Sequence, residues 1–401
     1  MERRYRVGLL ATHPIQYYTP WYRALARLVD LHVYYSHRQS SADHARSEFG
    51  VAFEWDVPLL DGYRSSFLHN RARRPDVSQF AGCDTPELAA LIRAERYDAF
   101  IVTGWGVRSF WQAMAACWRT GTPLLVRGDS HLLTPRSLPK RLFKRLAYGA
   151  FIPRFAGYLV VGERTRQYFM HYGADRRRMF PAPHAVDNQR FAARARALRP
   201  LRSQLRAAWG IPDDALLFLF AGKLVPRKRP HDFIQAVGQA ARANRRIWGF
   251  VVGDGPLRGE LEALVAQSGL PVRFAGFLNQ AAMPDAYSVS DALVLPSDAS
   301  ETWGLVVNEA MAAGLPALVS DAVGCAPDLI RPGCTGEQFP LGDHATLARL
   351  MGALAARPTQ LAALGAAAQR HIQRFAVELA AEGAWAAIHS VAGERSASLV
   401  R

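Results

Sequence analysis

Residues 216–230 read LLFLFAGKLVPRKRP, and this stretch decides the fold. An apolar run with no polar alternation suits a strand covered on both faces, the setting of a parallel sheet. The run stops at Gly222 and passes at once to Lys223, with Arg227, Lys228 and Arg229 following where a helical pattern starts. In open parallel sheets ligands bind beyond the carboxyl ends of the strands, so residues just after such a run can carry chemistry.

Similar runs recur on both sides of it. RVGLLATH (6–13), AFIVTGWG (99–106), PLLVRGDS (123–130) and GYLVVGE (157–163) precede it; WGFVVGDG (248–255), VRFAGF (272–277), ALVLPSD (292–298) and PALVSD (316–321) follow. Helical patterns separate them, so each half of the chain reads as its own doubly wound α/β domain. The Pro-rich PAPHAVDNQRF (181–191) and the basic stretch up to Gly210 mark a hinge near 185–210. The expected organisation is residues 1–190, then 191–375, with a last helix over 376–401 that can pack back on the first domain. No internal repeat or low-complexity tract interrupts this pattern.

The chain is 401 residues long and 50% apolar, enough for substantial cores. No apolar run approaches the roughly 20 residues needed to cross a bilayer, and Met1–Arg6 leads directly into a strand pattern rather than a signal-peptide core. Cys83, Cys117, Cys325 and Cys334 have neither zinc-ligand nor redox-pair spacing, and a reducing cytoplasm is the expected setting. The net charge of +15 is uneven: residues 1–200 hold 31 Lys+Arg against 16 Asp+Glu, residues 201–401 hold 18 against 18. An anionic partner for the first half explains this, and so does a general Arg bias on solvated surfaces.

Two features in the second half suit a nucleoside diphosphate. A glycine followed by a lysine, Gly222-Lys223, with further cations at a helix start, can neutralise a diphosphate while nearby amides donate to it; a solvated basic turn has the same pattern. In SETWGLVVNEAMAAGLP (300–316), a helix opens at Gly304-Leu305-Val306, whose first amides lack intrahelical acceptors. Glu309 lies one turn in among Val306, Ala310 and Ala313, where a carboxylate needs donors, and paired ribose hydroxyls would supply them. Glu301, before the helix, would reach past the phosphates toward the group they carry. The alternative is a solvated Glu301 and a Glu309 that pairs internally with an arginine.

Together FAGKLVPRKRP, VVGDGPLRGELE and the segment from VRFAGF to APDLI (272–330) resemble the nucleotide-sugar domain of the retaining GT-B glycosyltransferases of family 4, over about residues 215–345. The resemblance implies two Rossmann-like doubly wound domains facing across a cleft. It implies that Lys223, where the family more often has arginine, and Lys228 hold the donor diphosphate. Glu301 then binds donor-sugar hydroxyls, Glu309 the ribose, and the amides of Gly304, Leu305 and Val306 complete the phosphate cradle beside Gly222. Arg273 would neighbour the base.

In the first half ATHPIQYYTPWYRALA (11–26) replaces the family's Gly-rich loop, so His13 and Gln16 either face the phosphates or acceptor, or cap the following helix. VRGDSHL (126–132) places Asp129 and His131 near where the resemblance puts the family's histidine that contacts the donor sugar, with the choice between them open. His184 and Asp187 fall on the family's hinge motif and read as structural.

The expected activity is sugar transfer, with retention, from a nucleoside-diphosphate sugar to the hydroxyl of a lipid-linked, saccharide or small-molecule acceptor. The cations and helix amides are aimed at the leaving diphosphate, so neither metal nor cofactor is expected. Asp298 and Asp321 are isolated, and Asp213-Asp214 lies before a strand start. A GT-B epimerase or phosphorylase shares the fold; a nucleic-acid-binding protein would use the charge, but no nucleic-acid motif is present. LPKRLFKRLAYGAFIPRF (138–155) mixes Lys/Arg with Leu and Phe. It reads either as a surface resting on anionic lipid at the inner face of the membrane or as a core helix with a solvated basic face.

Overall fold

The continuous apolar runs all become parallel strands. The structure, a computed structural model, describes residues 4–44 and 50–399. It divides into two compact units, one of Met1–Gln39, Pro58–Ala185 and Val377–Arg401, the other of Ser40–Val57 and Val186–Ala376.

The first unit holds seven parallel strands: β1 (Arg6–Ala11), β2 (Asp30–Tyr35), β3 (Arg64–Phe67), β4 (Ala99–Val102), β5 (Leu124–Gly128), β6 (Gly157–Val160) and β7 (Met179–Pro181). Their order is β3-β2-β1-β4-β5-β6-β7. Both faces are covered, as unbroken apolar runs require. Val7, Leu9 and Ala11 of β1 enter one core with Ala99 and Ile101 of β4, while Leu10, Phe100 and Val102 enter the other. The helix Val377–Leu399 completes the first of these cores: Val377, Ala380, Ala384, Ala387, Ile388 and Val391 form a stripe at helical spacing packed with Trp21, Tyr22 and Leu25.

The second unit has β8 (Leu216–Ala221), β9 (Ile247–Val252), β10 (Val272–Gly276), β11 (Ala292–Leu295), β12 (Ala317–Ser320) and β13 (Gly336–Phe339). These are again parallel, in the order β10-β9-β8-β11-β12-β13. The strand order reverses between β1 and β4 and between β8 and β11, and the loops after such strands form the crevice where doubly wound sheets take ligands.

One segment leaves the half of the sequence in which it occurs. Residues 40–57, between β2 and β3, group with the second unit. There the Phe53 ring lies 4.4 Å from that of Phe277, Asn279 Nδ2 donates to the Glu54 carbonyl at 2.6 Å, and the Ala281 amide donates to Asp56 at 3.0 Å. The chain thus lays a strap along the loop that follows β10.

All four cysteines are free, and burial pushes the Cys117 thiol up to about 12. No described helix is long and apolar enough to cross a membrane.

Candidate nucleotide-sugar site and the loops of the first unit

At the carboxyl ends of β8, β9 and β10 the backbone is interlocked through glycines. The Gly222 amide bonds Val252 O at 2.9 Å, and the Gly253 amide bonds Gly276 O at 2.8 Å. A Cβ on Gly253 would stand 1.9 Å from the Gly222 carbonyl, so only glycine fits this approach. Lys223 leaves β8 directly beside it. The chain then makes a single 3-10 turn, Pro226–Lys228, which ends at Arg229 in the left-handed region (φ 53°) before the helix Pro230–Ala243 begins. A non-glycine residue there costs about 1–2 kcal/mol. Arg229 Nε donates to Asp232 at 2.5 Å, one turn into that helix.

This turn is tied to the loop after β11. The Asp298 amide bonds Arg227 O at 2.9 Å, and the Asp298 carboxylate accepts from the Ser300 amide and hydroxyl at 2.8 and 2.6 Å. Glu301 is fixed through its own backbone, its amide on Asp298 O and its carbonyl accepting from the Gly324 amide at 2.9 Å. Lys228 Nζ meets the Glu301 carboxylate in an ion pair whose side chains are only 18% and 15% exposed. Lys228 and Glu301, read from sequence as serving diphosphate and sugar, are therefore brought into direct contact.

The helix Leu305–Ala312 starts at Gly304, with φ 95° and no side-chain cap. A Cβ on Gly304 would lie 2.6 Å from Leu295 Cδ2, so this turn needs glycine twice over, for conformation and for space. Helix geometry leaves the first-turn amides, among them Leu305 and Val306, without intrahelical acceptors, and they provide an anion-binding end.

Glu309 is 1% exposed. Gln280 Nε2 donates to one carboxylate oxygen at 2.8 Å and Tyr287 Oη to the other at 2.6 Å. Neutral protein donors thus occupy the place given in sequence to ribose hydroxyls or an arginine. A ribose bound here would share Glu309 with these donors rather than be its sole partner. Gln280 and Tyr287 escaped the sequence reading. The signal that could have found Gln280 is its position in the loop just after β10, a strand end that the reading passed over.

Arg273 requires a correction. It stands second in β10, its Nε donates to Gly210 O at 3.2 Å, and its guanidinium lies 5.0 Å over the Trp248 ring. Gly210 precedes β8 and Trp248 pairs with Leu217 near the start of that strand, so Arg273 serves the amino end of the sheet, not a base at the carboxyl end.

In the first unit, His13 follows β1 with its Nδ1 3.0 Å from Thr12 Oγ1. Gln16 sits in the turn before the helix Thr19–Leu28, whose N-cap residue is Tyr18. Asp129 and His131, both after β5, go separate ways. Asp129 Oδ2 lies 3.7 Å from Nε2 of buried His184. His184 stacks on Tyr18 at 5.9 Å and faces the buried Arg127 guanidinium, which donates to the Ala182 and Pro183 carbonyls at 3.4 and 3.3 Å. Burial, then Arg127, holds His184 below the usual imidazole range, while Asp129 pulls the other way.

His131 is buried, accepts from the Leu133 amide at 3.2 Å, and lines a cavity of about 410 Å³ with Arg136, Arg141, Lys144 and Tyr168. Asp187, by contrast, caps the helix Asn188–Leu198 by accepting from the Arg190 amide at 2.9 Å, a structural role as expected.

The second unit's geometry has a clear match among known sequences. Residues 202–371 match the family model of the glycosyl transferases group 1. This group 1 region encloses Lys223, Lys228, Glu301 and Glu309 and leaves out Asp129 and His131. Over 237 residues the chain is 34% identical to D-inositol 3-phosphate glycosyltransferase of Streptomyces coelicolor, covering 55% of this chain and 51% of that protein. The chain spans about half the length of such curated relatives.

Among solved structures, HepE of Anabaena in complex with UDP-glucose superposes with a TM-score of 0.67 at 17% identity over 98% of this chain and 99% of that one. A glycosyltransferase from Rickettsia africae gives 0.73 at 12% identity over 97% and 98%. At such identities the likeness speaks for the fold: two Rossmann-like α/β units of the GT-B type.

Proposed function

We propose that the protein is a retaining glycosyltransferase of family 4 that moves a sugar from a nucleoside-diphosphate sugar to an acceptor hydroxyl in glycoconjugate biosynthesis. The observation that carries this reading is the Lys228–Glu301 pair beside the first-turn amides of the helix Leu305–Ala312. A bound diphosphate competes for Lys228 and takes amide donors from the helix start. The Glu301 carboxylate, released from its cation, then accepts hydroxyls of the donor sugar. As the glycosidic bond breaks, negative charge grows on the leaving diphosphate, where Lys223, Lys228 and the amides already stand. Those groups do the work that a divalent cation does elsewhere, so the reading requires no metal. His131 belongs to the acceptor side, and Glu309, kept in place by Gln280 and Tyr287, holds the ribose. HepE, which shares the fold, was crystallised with UDP-glucose, which supports a UDP-sugar donor. The reading places the protein in the cytoplasm, at the inner face of the membrane.

A thermal-shift screen with UDP, GDP and their sugars in the presence of EDTA tests the proposal. The expected result is stabilisation by one nucleotide series that Lys228→Ala abolishes. No shift with any nucleotide, or a shift indifferent to Lys228→Ala, would overturn it.

A further inference from the structure

The helix Leu138–Phe151 is amphipathic, but its apolar side faces outward. The side chains turned to the body of the first unit are Lys144, Ala147, Tyr148 and Phe151, at i, i+3, i+4 and i+7. On the outer arc Leu138, Leu142, Phe143 and Leu146 are 76%, 62%, 73% and 69% exposed. Leaving four large apolar side chains in water forgoes roughly 1.5–3 kcal/mol of burial each, a cost that a soluble surface does not normally carry in one patch.

Beneath this helix the lining is cationic. Lys144 Nζ sits 4.6, 4.8 and 5.6 Å from the ring centroids of Tyr148, Tyr168 and Tyr172. Desolvation there, with Arg136 nearby, lowers the Lys144 ammonium to about 8. The cavity of about 410 Å³ under the helix is lined by His131, Arg136, Arg141, Lys144 and His171 among its polar groups, and by no carboxylate. A second cavity of about 690 Å³ shares Arg136 and Lys144 with it and reaches Phe143 on the apolar arc. The sequence explains the bias: no acidic residue occurs between Asp129 and Glu163.

A half-buried Lys144 flanked by the exposed Arg136 and Arg141, with no carboxylate in the cavity lining, attracts a bound anion, and a phosphate, with several strong acceptor oxygens, matches the guanidinium and ammonium donors. An apolar strip that begins where the cations end suits a hydrocarbon chain attached to that phosphate. We infer that this part of the first unit is the acceptor subsite for a phosphate-bearing amphiphile, its phosphate among Arg136, Arg141 and Lys144 and its chain along Leu138, Leu142, Phe143 and Leu146. The inference rests on the glycosyltransferase reading for the word acceptor alone. His131, buried and part of the same lining, then stands within the subsite.

The full chain titrated with octyl phosphate, 1-octanol and inorganic phosphate, each below any micellar concentration, tests this by binding calorimetry. Octyl phosphate should bind at least tenfold more tightly than either fragment. Arg136→Ser and Arg141→Ser, both at exposed positions, should each weaken octyl phosphate about tenfold, and Leu142→Ser with Leu146→Ser should reduce it to the affinity of inorganic phosphate. Equal binding of 1-octanol would mean an apolar patch without a phosphate site. Equal binding of inorganic phosphate would mean a free-anion site. Either result, or indifference to the substitutions, overturns the inference.

Octyl phosphate should also inhibit sugar transfer while leaving nucleotide-induced thermal stabilisation intact. Binding without inhibition of an active enzyme would remove the acceptor role. Failure of the donor reading shows separately, as loss of nucleotide stabilisation with octyl phosphate binding unchanged.

Discussion

Lys228 and Glu301, 73 residues apart in the chain, form a largely buried ion pair at the point where two loops of the second unit are stitched together. A buried pair of this kind is costly to break from one side, because the remaining charge keeps its desolvation penalty. Lys228→Ala should therefore lower stability by about 1–3 kcal/mol and transfer by about 100-fold or more, and the double variant with Glu301→Ala should recover part of the stability but none of the activity. Urea unfolding and steady-state kinetics on the single and double variants separate the two effects.

Glu309 makes a graded prediction. Tyr287→Phe removes one donor and should cost about 1 kcal/mol, whereas Glu309→Ala leaves Gln280 and Tyr287 without their shared acceptor and should cost about 1–3 kcal/mol. If the ribose also uses this carboxylate, Glu309→Ala weakens nucleotide binding while Tyr287→Phe leaves it within a few-fold. Nucleotide titration of both variants, each checked for a folded baseline, measures this.

Gly304→Ala should be damaging out of proportion to its size. It places a side chain at φ 95° and against Leu295, for an expected loss of about 1–3 kcal/mol. Because the turn aims the helix amides, nucleotide stabilisation in the thermal-shift assay should fall with it.

His184 gives an acid dependence. Its folded-state imidazole titrates below the ordinary value, so below pH 6.5 the unfolded chain binds more protons than the folded one. Its contribution is thus fully present above that pH and is lost as the pH falls. Melting temperature from pH 7.5 to 5.5 should drop more steeply in the natural protein than in His184→Gln.

The legibility of this chain follows burial. β8, β9 and β11 were readable because both faces lie in apolar cores, which leaves unbroken Leu, Val and Phe runs. β3 (RSSF), β7 (MFP) and β13 (GEQF) were not, because they are edge strands whose partial exposure admits polar residues. β2 escaped through His32, a buried imidazole 2.9 Å from Ser66 Oγ that breaks an otherwise apolar run. At the candidate site, charge and position singled out Lys228, Glu301 and Glu309 in the sequence, and the first two meet in an ion pair. Their partners depended on loop paths such as the Asp298-to-Arg227 bond, which no local pattern encodes. Arg273 was misplaced because it was judged by its strand and not by its distance from that strand's carboxyl end.

The strap at 40–57 and the helix Val377–Leu399 have a consequence for how the chain comes off the ribosome. The first unit lacks one wall of its core until the helix Val377–Leu399 has been made, and the strap is synthesised more than two hundred residues before Phe277 and Asn279, on which it rests. Neither unit can mature on its own half of the message, so the usual order of N-terminal unit first is closed to this protein. Cutting it into halves at the hinge would yield two pieces, each missing a part held by the other.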